Sequence, residues 1–590
     1  MSIETTTNQF IERLELPQQD LAALSFSSTN RASAVKAWAE QLPATRITHV
    51  SVLLYKALPE ICKLVTPADN RLAMLEIVRP YVQHCIQGLA KGFLNQPLIL
   101  PEGPMKTAVV AQALQKNMTI GYELVLRDIL AEAGSREKQA DKNLALTCHR
   151  SITSLGLLLL RGYQLYRQIP SNLWLELHTI YQIAEKKGIL ETAIEDQFLR
   201  QSKSNTIQQA YIRALLLACA RPNQMRQSEV STTYEMLEWW SHLAKIQPVD
   251  YQKLDNLFVV NLSSDMAPLY KARFSGDTKD IIRELDVKDL IKAIQQQKNS
   301  NDESLQSLEI PSIVAETLID HLEEAWSVKK QRAFDRQPSE KNSTINACVG
   351  LSNLHHQMIN GVSFPEFLGD MVDDDIEEID FGSFGTDPWS KTSDNDSEEL
   401  SDNPIHTIHI IDTSPGGYCL EWRKNIPAQV RAGEIIGLKE KGRHRWGLGI
   451  IRWVQQLNNC TRLGIQLLSP KTTPYGAAIE HFTGDFGDYL RVLMLPELKA
   501  ANQPATLITP FAPFLERQKI KLNNNGETQM LELTRCVFST GAISQFSFRV
   551  ESSSSATTKA ESNRSKTTET ETDKPKNVSE DEDFDSAWED

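Results

Sequence analysis

Apolar positions recur at three- and four-residue spacing through most of the first 250 residues, the period of helices that bury one face. Leu72, Leu75, Val78, Val82, Ile86 and Leu89 form one such stripe, opened by Thr66-Pro67, a capping residue followed by a proline suited to the first helical position. Pro80 falls inside the stripe and predicts a kink or a split there. Further helices are predicted over Met105–Glu132 and over Lys142–Gln168, the second stopped by Pro170. Ser171 or Asn172 stands ready to cap the next, with Trp174, Leu177, Ile180, Tyr181 and Ala184 on one face and Gly188 as its stop. Helices over Thr206–Ala220 and Ser228–Lys245 complete the set. The links are short, so neighbouring helices are expected to pack antiparallel, as an all-α bundle over 1–250.

The texture then changes. Leu257–Leu262 reads as a strand and Asp286 as the cap of a helix over Val287–Gln297, which makes 251–300 a small α/β or linker piece. A helix from Ile313 to Lys330 leads into segments of β character: Thr344–Leu354, Ile405–Ile411, Trp446–Val454 and Arg462–Leu468. The last two, joined across Asn458-Asn459, read as a hairpin. A second β-rich portion covers 476–550, where Asn525-Gly526 between Ile520–Leu522 and Met530–Leu533 is a strong two-residue turn signal. The expected fold is multidomain α + β: an N-terminal helical bundle, an antiparallel β-barrel over 305–475 with its lead-in helix, a β-rich extension, and an acidic tail over 551–590.

Charge sharpens these boundaries. The 590 residues carry a net charge of −14, but 366–402 hold 14 acidic residues against one lysine, and 551–590 hold 12 acidic against five basic. Those stretches account for −13 and −7, leaving the rest of the chain at about +6. Both are too charged and too poor in apolar residues to form core, so the insertion over 361–403 and the tail are expected to be disordered. The mildly basic remainder suits a small anionic ligand and lacks the dense basic clusters of a nucleic-acid binder. Phe584, Ala587 and Trp588 in the tail fit a docking motif and a neutral end equally well. No apolar run is long enough to span a bilayer, and Met1–Leu16 lacks a basic stretch followed by an apolar one, so a cytoplasmic protein without membrane insertion is expected. Eight scattered cysteines without a C-x-x-C pair read as buried free thiols. His355-His356 lacks the neighbours of a metal set and reads as an exposed strand end, and Cys148-His149 would point apart on a helix. There is no P-loop, GxGxxG, H-E-x-x-H or G-x-S-x-G, and no nucleophile–base pair suggests an enzyme.

Two short motifs remain. Arg332 and Arg336 form R-x-x-x-R at the exit of the predicted helix, and Asp412-Thr413-Ser414-Pro415-Gly416-Gly417 forms D-x-S-x-x-G between the apolar run Ile408, Ile410, Ile411 and the alternating run Tyr418, Leu420, Trp422. Each has a plain structural explanation, as the solvated basic end of a helix and as a hairpin turn. In this order, followed by short strands over roughly Lys330–Pro470, they resemble the PilZ domain, the bacterial receptor module for cyclic di-GMP. The whole arrangement is similar to long PilZ receptors with a helical N-terminal region, a group linked to type IV pili and surface attachment. The acidic insertion between the motifs departs from a minimal PilZ domain; loop-closure cost grows only logarithmically with length, so such an insertion is tolerable.

The resemblance implies a site and a function. Arg332 and Arg336 would pair with phosphate and guanine, because a guanidinium binds phosphate bidentately, reads guanine O6 and N7, and stacks on a base. Asp412 would accept from guanine N–H groups, Ser414 would bond base or phosphate, and Gly416 and Gly417 would allow the ligand close to the backbone. The expected protein is a non-enzymatic second-messenger receptor with no cofactor beyond its ligand, relaying cyclic di-GMP to motility or attachment machinery through the helical module or the tail. A helical scaffold or adaptor with a degenerate, non-binding barrel is the alternative.

Overall fold

A computed structural model describes residues 16–131, 138–249, 258–274, 281–299, 308, 310, 314–327, 335–340, 342–369, 403–481, 483–497 and 504–550. The chain forms two compact units, one built chiefly from the chain up to residue 331 and the other chiefly from residue 332 onward.

In the first unit, helices Ala32–Glu40, Ile47–Lys63, Ala68–Ala90 and Glu102–Ala131 close over one apolar core that includes Leu54, Leu58, Leu72, Leu75, Leu114 and Met118. Pro80 sits within its helix without ending it, and Pro67, one residue later than expected, occupies the N-cap position left to Thr66. Helices Lys138–Gln164, Leu173–Lys187, Ile207–Cys219 and Gln227–Trp240 build a second core. Neither Ser171 nor Asn172 caps the helix that starts at Leu173. Asn172 is left-handed there, and Asp265 accepts instead from the backbone N–H groups of Asn172, Trp174 and Leu175 at 2.6, 3.1 and 3.2 Å. Gly188, at φ +68°, ends the helix as the sequence predicts.

A hairpin of β1 (Ala193–Glu195) and β2 (Ser204–Thr206) is fastened to these helices by charge. Asp196 accepts from Arg79 at 2.9 and 2.6 Å and from Arg150 at 3.1 Å, while Arg150 also binds Glu76 at 3.1 Å. Asp196 and both of its arginine partners, Arg79 and Arg150, are largely buried, an arrangement stable only while each charge keeps its partner. Strands β3 (Lys245–Pro248), β4 (Phe258–Asn261), β5 (Leu269–Tyr270) and β6 (Ile282–Asp286) form an antiparallel sheet in the order β3-β6-β4-β5. Phe258, Val260 and Leu285 join the second helical core, as do Leu290 and Ile294 of helix Lys288–Asn299. Helix Glu316–Ser327 also packs here, with Trp326 edge-on to Trp240 at 6.3 Å between ring centroids.

The second unit holds two closed antiparallel barrels. The first comprises β7 (Gln337–Pro338), β8 (Thr344–Val349), β9 (His406–Ser414), β10 (Gly417–Trp422), β11 (Ile435–Glu440), β12 (Gly447–Gln456) and β13 (Thr461–Ser469), in the order β10-β13-β12-β11-β8-β9-β7. β9 also pairs with β10, so six strands close on themselves and the two-residue β7 lies outside on β9. The second barrel runs β14-β15-β16-β19-β18-β17, from β14 (Thr473–Ile479), β15 (Leu490–Leu495), β16 (Thr506–Pro510), β17 (Lys519–Asn524), β18 (Glu527–Ser539) and β19 (Ile543–Val550). Asn525 and Gly526, at φ +54° and +85°, make the turn between β17 and β18 that their sequence predicts. Cys348, Ile435 and Trp446 of the first barrel share a core with Leu493, Ile508 and Ile543 of the second.

Three expectations change. The strand expected over Thr344–Leu354 stops at Val349, because Gly350 turns at φ +92° and Leu351–Met358 is a helix whose Leu354 enters that shared core. His355 is therefore not an exposed strand end: it is fully buried, donates from Nε2 to the Tyr475 carbonyl at 3.1 Å, and burial pushes its pKa down to about 4. The insertion also starts later than 361. Phe364–Leu368 is a capped helical turn on the second barrel, where Asn523 Nδ2 donates to the Leu368 carbonyl at 3.0 Å and Phe367 meets His355 edge-on at 5.3 Å. Residues 370–402 and the tail at 551–590 lie outside the described residues.

Candidate functional site

The outer face of the first barrel where β7, β9 and β10 meet carries the motif residues. Gln337 and Pro338 pair with Thr413 and Asp412, so the residue before β7, Arg336, is delivered beside Asp412. Their side chains form an ion pair, Arg336 Nη1 to Asp412 Oδ1, each about a quarter exposed. Strand pairing thus brings together two motifs separated by 76 positions in sequence. Arg332 lies outside the described residues.

The D-x-S-x-x-G segment is the β9–β10 hairpin. Ser414 pairs with Gly417, and its hydroxyl makes only a long contact, 3.4 Å, to the Gly417 carbonyl. Gly417, at φ +153°, has no room for a side chain: a Cβ there would stand 1.9 Å from the Ile465 carbonyl oxygen on β13. The Gly416 carbonyl accepts from Leu467 N–H at 3.0 Å, so the turn is anchored to β13 on its other side.

Register extends this face. Cys419 is opposite Asp412 on one side and Gly464 on the other. Burial raises the Cys419 thiol pKa and the Asp412 carboxylate adds to the rise, against the opposing charges of Arg336 and Arg462. Trp453 covers Gly464: a Cβ on that glycine would fall 1.8 Å from the indole Nε1. One register step along, Glu421 takes Arg423 at 2.9 Å and Arg462 at 3.5 Å. Burial alone would raise Glu421, but the bonds from Arg423 and Cys460 and the nearby arginine charges outweigh it and hold its pKa low. The face therefore offers a partly exposed cation and carboxylate, a serine hydroxyl, a glycine turn and an aromatic plane. That combination suits a ligand bearing both phosphate and a flat polar base.

Of the residues proposed from sequence, Arg336, Asp412, Ser414 and Gly417 come together on this face; Trp453 and the Glu421–Arg462 pair share it and were not singled out in the sequence. The signal for Trp453 is its opposition to a glycine across the β12–β13 hairpin, which becomes legible only when register is known. Among the described residues no cluster of His, Cys, Asp and Glu could hold a metal ion, and no helix is long and apolar enough to cross a membrane.

A helical region followed by a barrel that sets Arg336 of the R-x-x-x-R motif beside the D-x-S-x-x-G hairpin is the build of a PilZ-type receptor. Comparison with known families agrees: residues 33–250 match the model of the N-terminal domain of the cyclic-di-GMP receptor FimW, 257–402 and 390–474 its middle PilZ domain, and 475–551 its C-terminal β-barrel domain. The chain is 32% identical over 572 residues to the cyclic-di-GMP receptor FimW of Pseudomonas aeruginosa, covering 91% of this chain and 93% of that one. The chain belongs to the FimW family. No solved structure matches it.

Proposed function

We propose that this protein is a cytoplasmic receptor that binds cyclic di-GMP on the outer face of the first barrel, through Arg332, Arg336, Asp412, Ser414 and Gly417. The observation that carries the reading is the Arg336–Asp412 pair, set beside the hairpin that turns at Gly417. On ligand binding Arg336 turns its fork to phosphate and guanine edge, Asp412 accepts from the guanine N–H groups, Ser414 bonds base or phosphate, and Trp453 offers a stacking face. A few charge-assisted contacts of roughly 1.5–3 kcal/mol each support micromolar affinity or better. The role is non-enzymatic.

We further propose a division of labour along the chain: a helical module at 1–250, a small α/β piece at 251–300, a ligand-binding barrel with its lead-in helix at 305–475, a β-rich extension at 476–550 and an acidic tail at 551–590. The helical module or the tail meets a protein partner in the machinery of surface attachment or type IV pilus motility. Calorimetric titration of the full chain with cyclic di-GMP tests the reading. Saturable binding lost in Arg336→Ala supports it, whereas no heat from the wild-type chain leaves the scaffold alternative standing.

A further inference from the structure

The register of the first barrel places a second basic element at the end where the ligand turn emerges. Glu440, the last residue of β11, pairs with Ile345, and Ile345 pairs with Ile408 of β9. Beyond that row β9 runs on to Ser414 and the Gly417 turn, while β11 runs on into the hairpin tip Lys441–Arg445. Turn and tip therefore project from the same mouth of the barrel.

A specific contact ties them together. Tyr418, the residue after the turn glycine, donates its hydroxyl to Glu440 Oε1 at 2.5 Å. β10 and β11 are not neighbours in the barrel, so this bond reaches past the strands between them. Glu440 also takes Arg443 Nε at 3.0 Å. One carboxylate thus holds the tip arginine in place and, through Tyr418, sets it against the ligand turn. Gly442, at φ +91°, makes the tight reversal. Lys439, Lys441, Arg443 and Arg445 oppose the single Glu440, a local excess of three positive charges, and Lys441–Arg445 are all exposed.

Such an excess costs stability through self-repulsion unless an anion relieves it. We infer that the tip Lys441–Arg445 is a second anion-contacting element of the ligand face, meeting a phosphate of the dinucleotide that Arg336 does not reach. The inference rests on the proposed binding of cyclic di-GMP at that face and adds residues to it. A dinucleotide with two phosphates is served from two sides, by Arg336 before β7 and by the tip after β11.

The test is calorimetric titration of the full chain with cyclic di-GMP, using Arg443→Gln/Arg445→Gln. The control is Arg535→Gln/Arg549→Gln, which removes the same charge from the second barrel. The tip variant is expected to lose about tenfold in affinity at low ionic strength, less at high salt, with its melting temperature not lowered. The control is expected to lose less than twofold. Wild-type affinity in the tip variant, or an equal loss in the control, overturns the inference while leaving the receptor reading intact, provided Arg336→Ala has lost binding. If Arg336→Ala binds like the wild type, the receptor site itself is wrong and the inference falls with it.

Discussion

The two barrels of the second unit have the same plan: six antiparallel strands, closed, sharing part of one core. Their turns differ. In the second barrel the Asn525-Gly526 turn obeys local rules only; a Cβ on Gly526 would meet nothing within 4 Å, and the glycine is there for its backbone angle. In the first, Gly417 is pressed against β13 so closely that a methyl group would overlap the Ile465 carbonyl, and the residues around it are charged, hydroxylic and partly exposed. Closure satisfies the backbone in both barrels, so the charged and hydroxylic side chains around Gly417 are not needed for architecture. The proposed binding chemistry gathers at the turn that the fold constrains beyond its needs.

Gly417→Ala presses hardest on this contrast. The clash with β13 is expected to lower the melting temperature by ten degrees or more and to abolish cyclic di-GMP binding, whereas Gly526→Ala costs only about 1 kcal/mol of backbone strain. Circular dichroism melts of the two variants measure the difference, and equal losses would remove the distinction between the turns. Next, Arg336→Ala is expected to lower affinity more than a hundredfold with the melt within a few degrees of wild type, because the side chain is partly exposed and packs no core. Asp412→Ala is expected to lose less, about tenfold, since it removes a base contact and leaves the phosphate-binding cation in place.

A third effect concerns acid. His355 has its folded pKa lowered from 6.5 to about 4 by burial, and so do His149 and His178 in the first unit. The unfolded chain then binds more protons than the folded one between those values, so stability is full above about pH 6.5 and falls as the pH drops toward 4. Each histidine accounts for about 3 kcal/mol at most. Denaturant melts at pH 7 and pH 4.5 should show the first unit losing more than the second, and a pH-independent midpoint would contradict these burials. The smallest effect is expected from replacing 370–402 by a short Gly/Ser bridge, which should shift the melt by no more than a few degrees. Extending the deletion back to Phe364 should cost several times more, because Phe364 and Leu368 are buried on the second barrel.

The sequence made the architecture legible wherever a pattern is local. The helical stripes, the Gly188 stop and the Asn525-Gly526 turn all follow from neighbours within a few residues. It misled where a distant partner decides. Leu351–Met358 has β-like neighbours, yet Leu354 and His355 find their partners on strands β11 and β14, and those contacts select a helix. Asp265 replaces Ser171 and Asn172 as a cap from more than 90 positions away. At the site, motif spacing pointed to Arg336 and Asp412, but Trp453 over Gly464 and Tyr418 on Glu440 depend on strand order, which no single stretch encodes.

The buried arginine–carboxylate knot of the first unit has a consequence for synthesis. Glu76, Arg79 and Arg150 leave the ribosome before Asp196, the carboxylate on which both arginines converge. A nascent chain ending short of 196 holds Arg79 without its partner, and closing the helices over that lone cation would cost several kcal/mol. Arg79 is therefore expected to be closed over only after Asp196, 117 positions later, has been made. A chain truncated before Asp196 is expected to melt lower than the same helices with the β1–β2 hairpin retained, which makes one late aspartate a condition for the early helices.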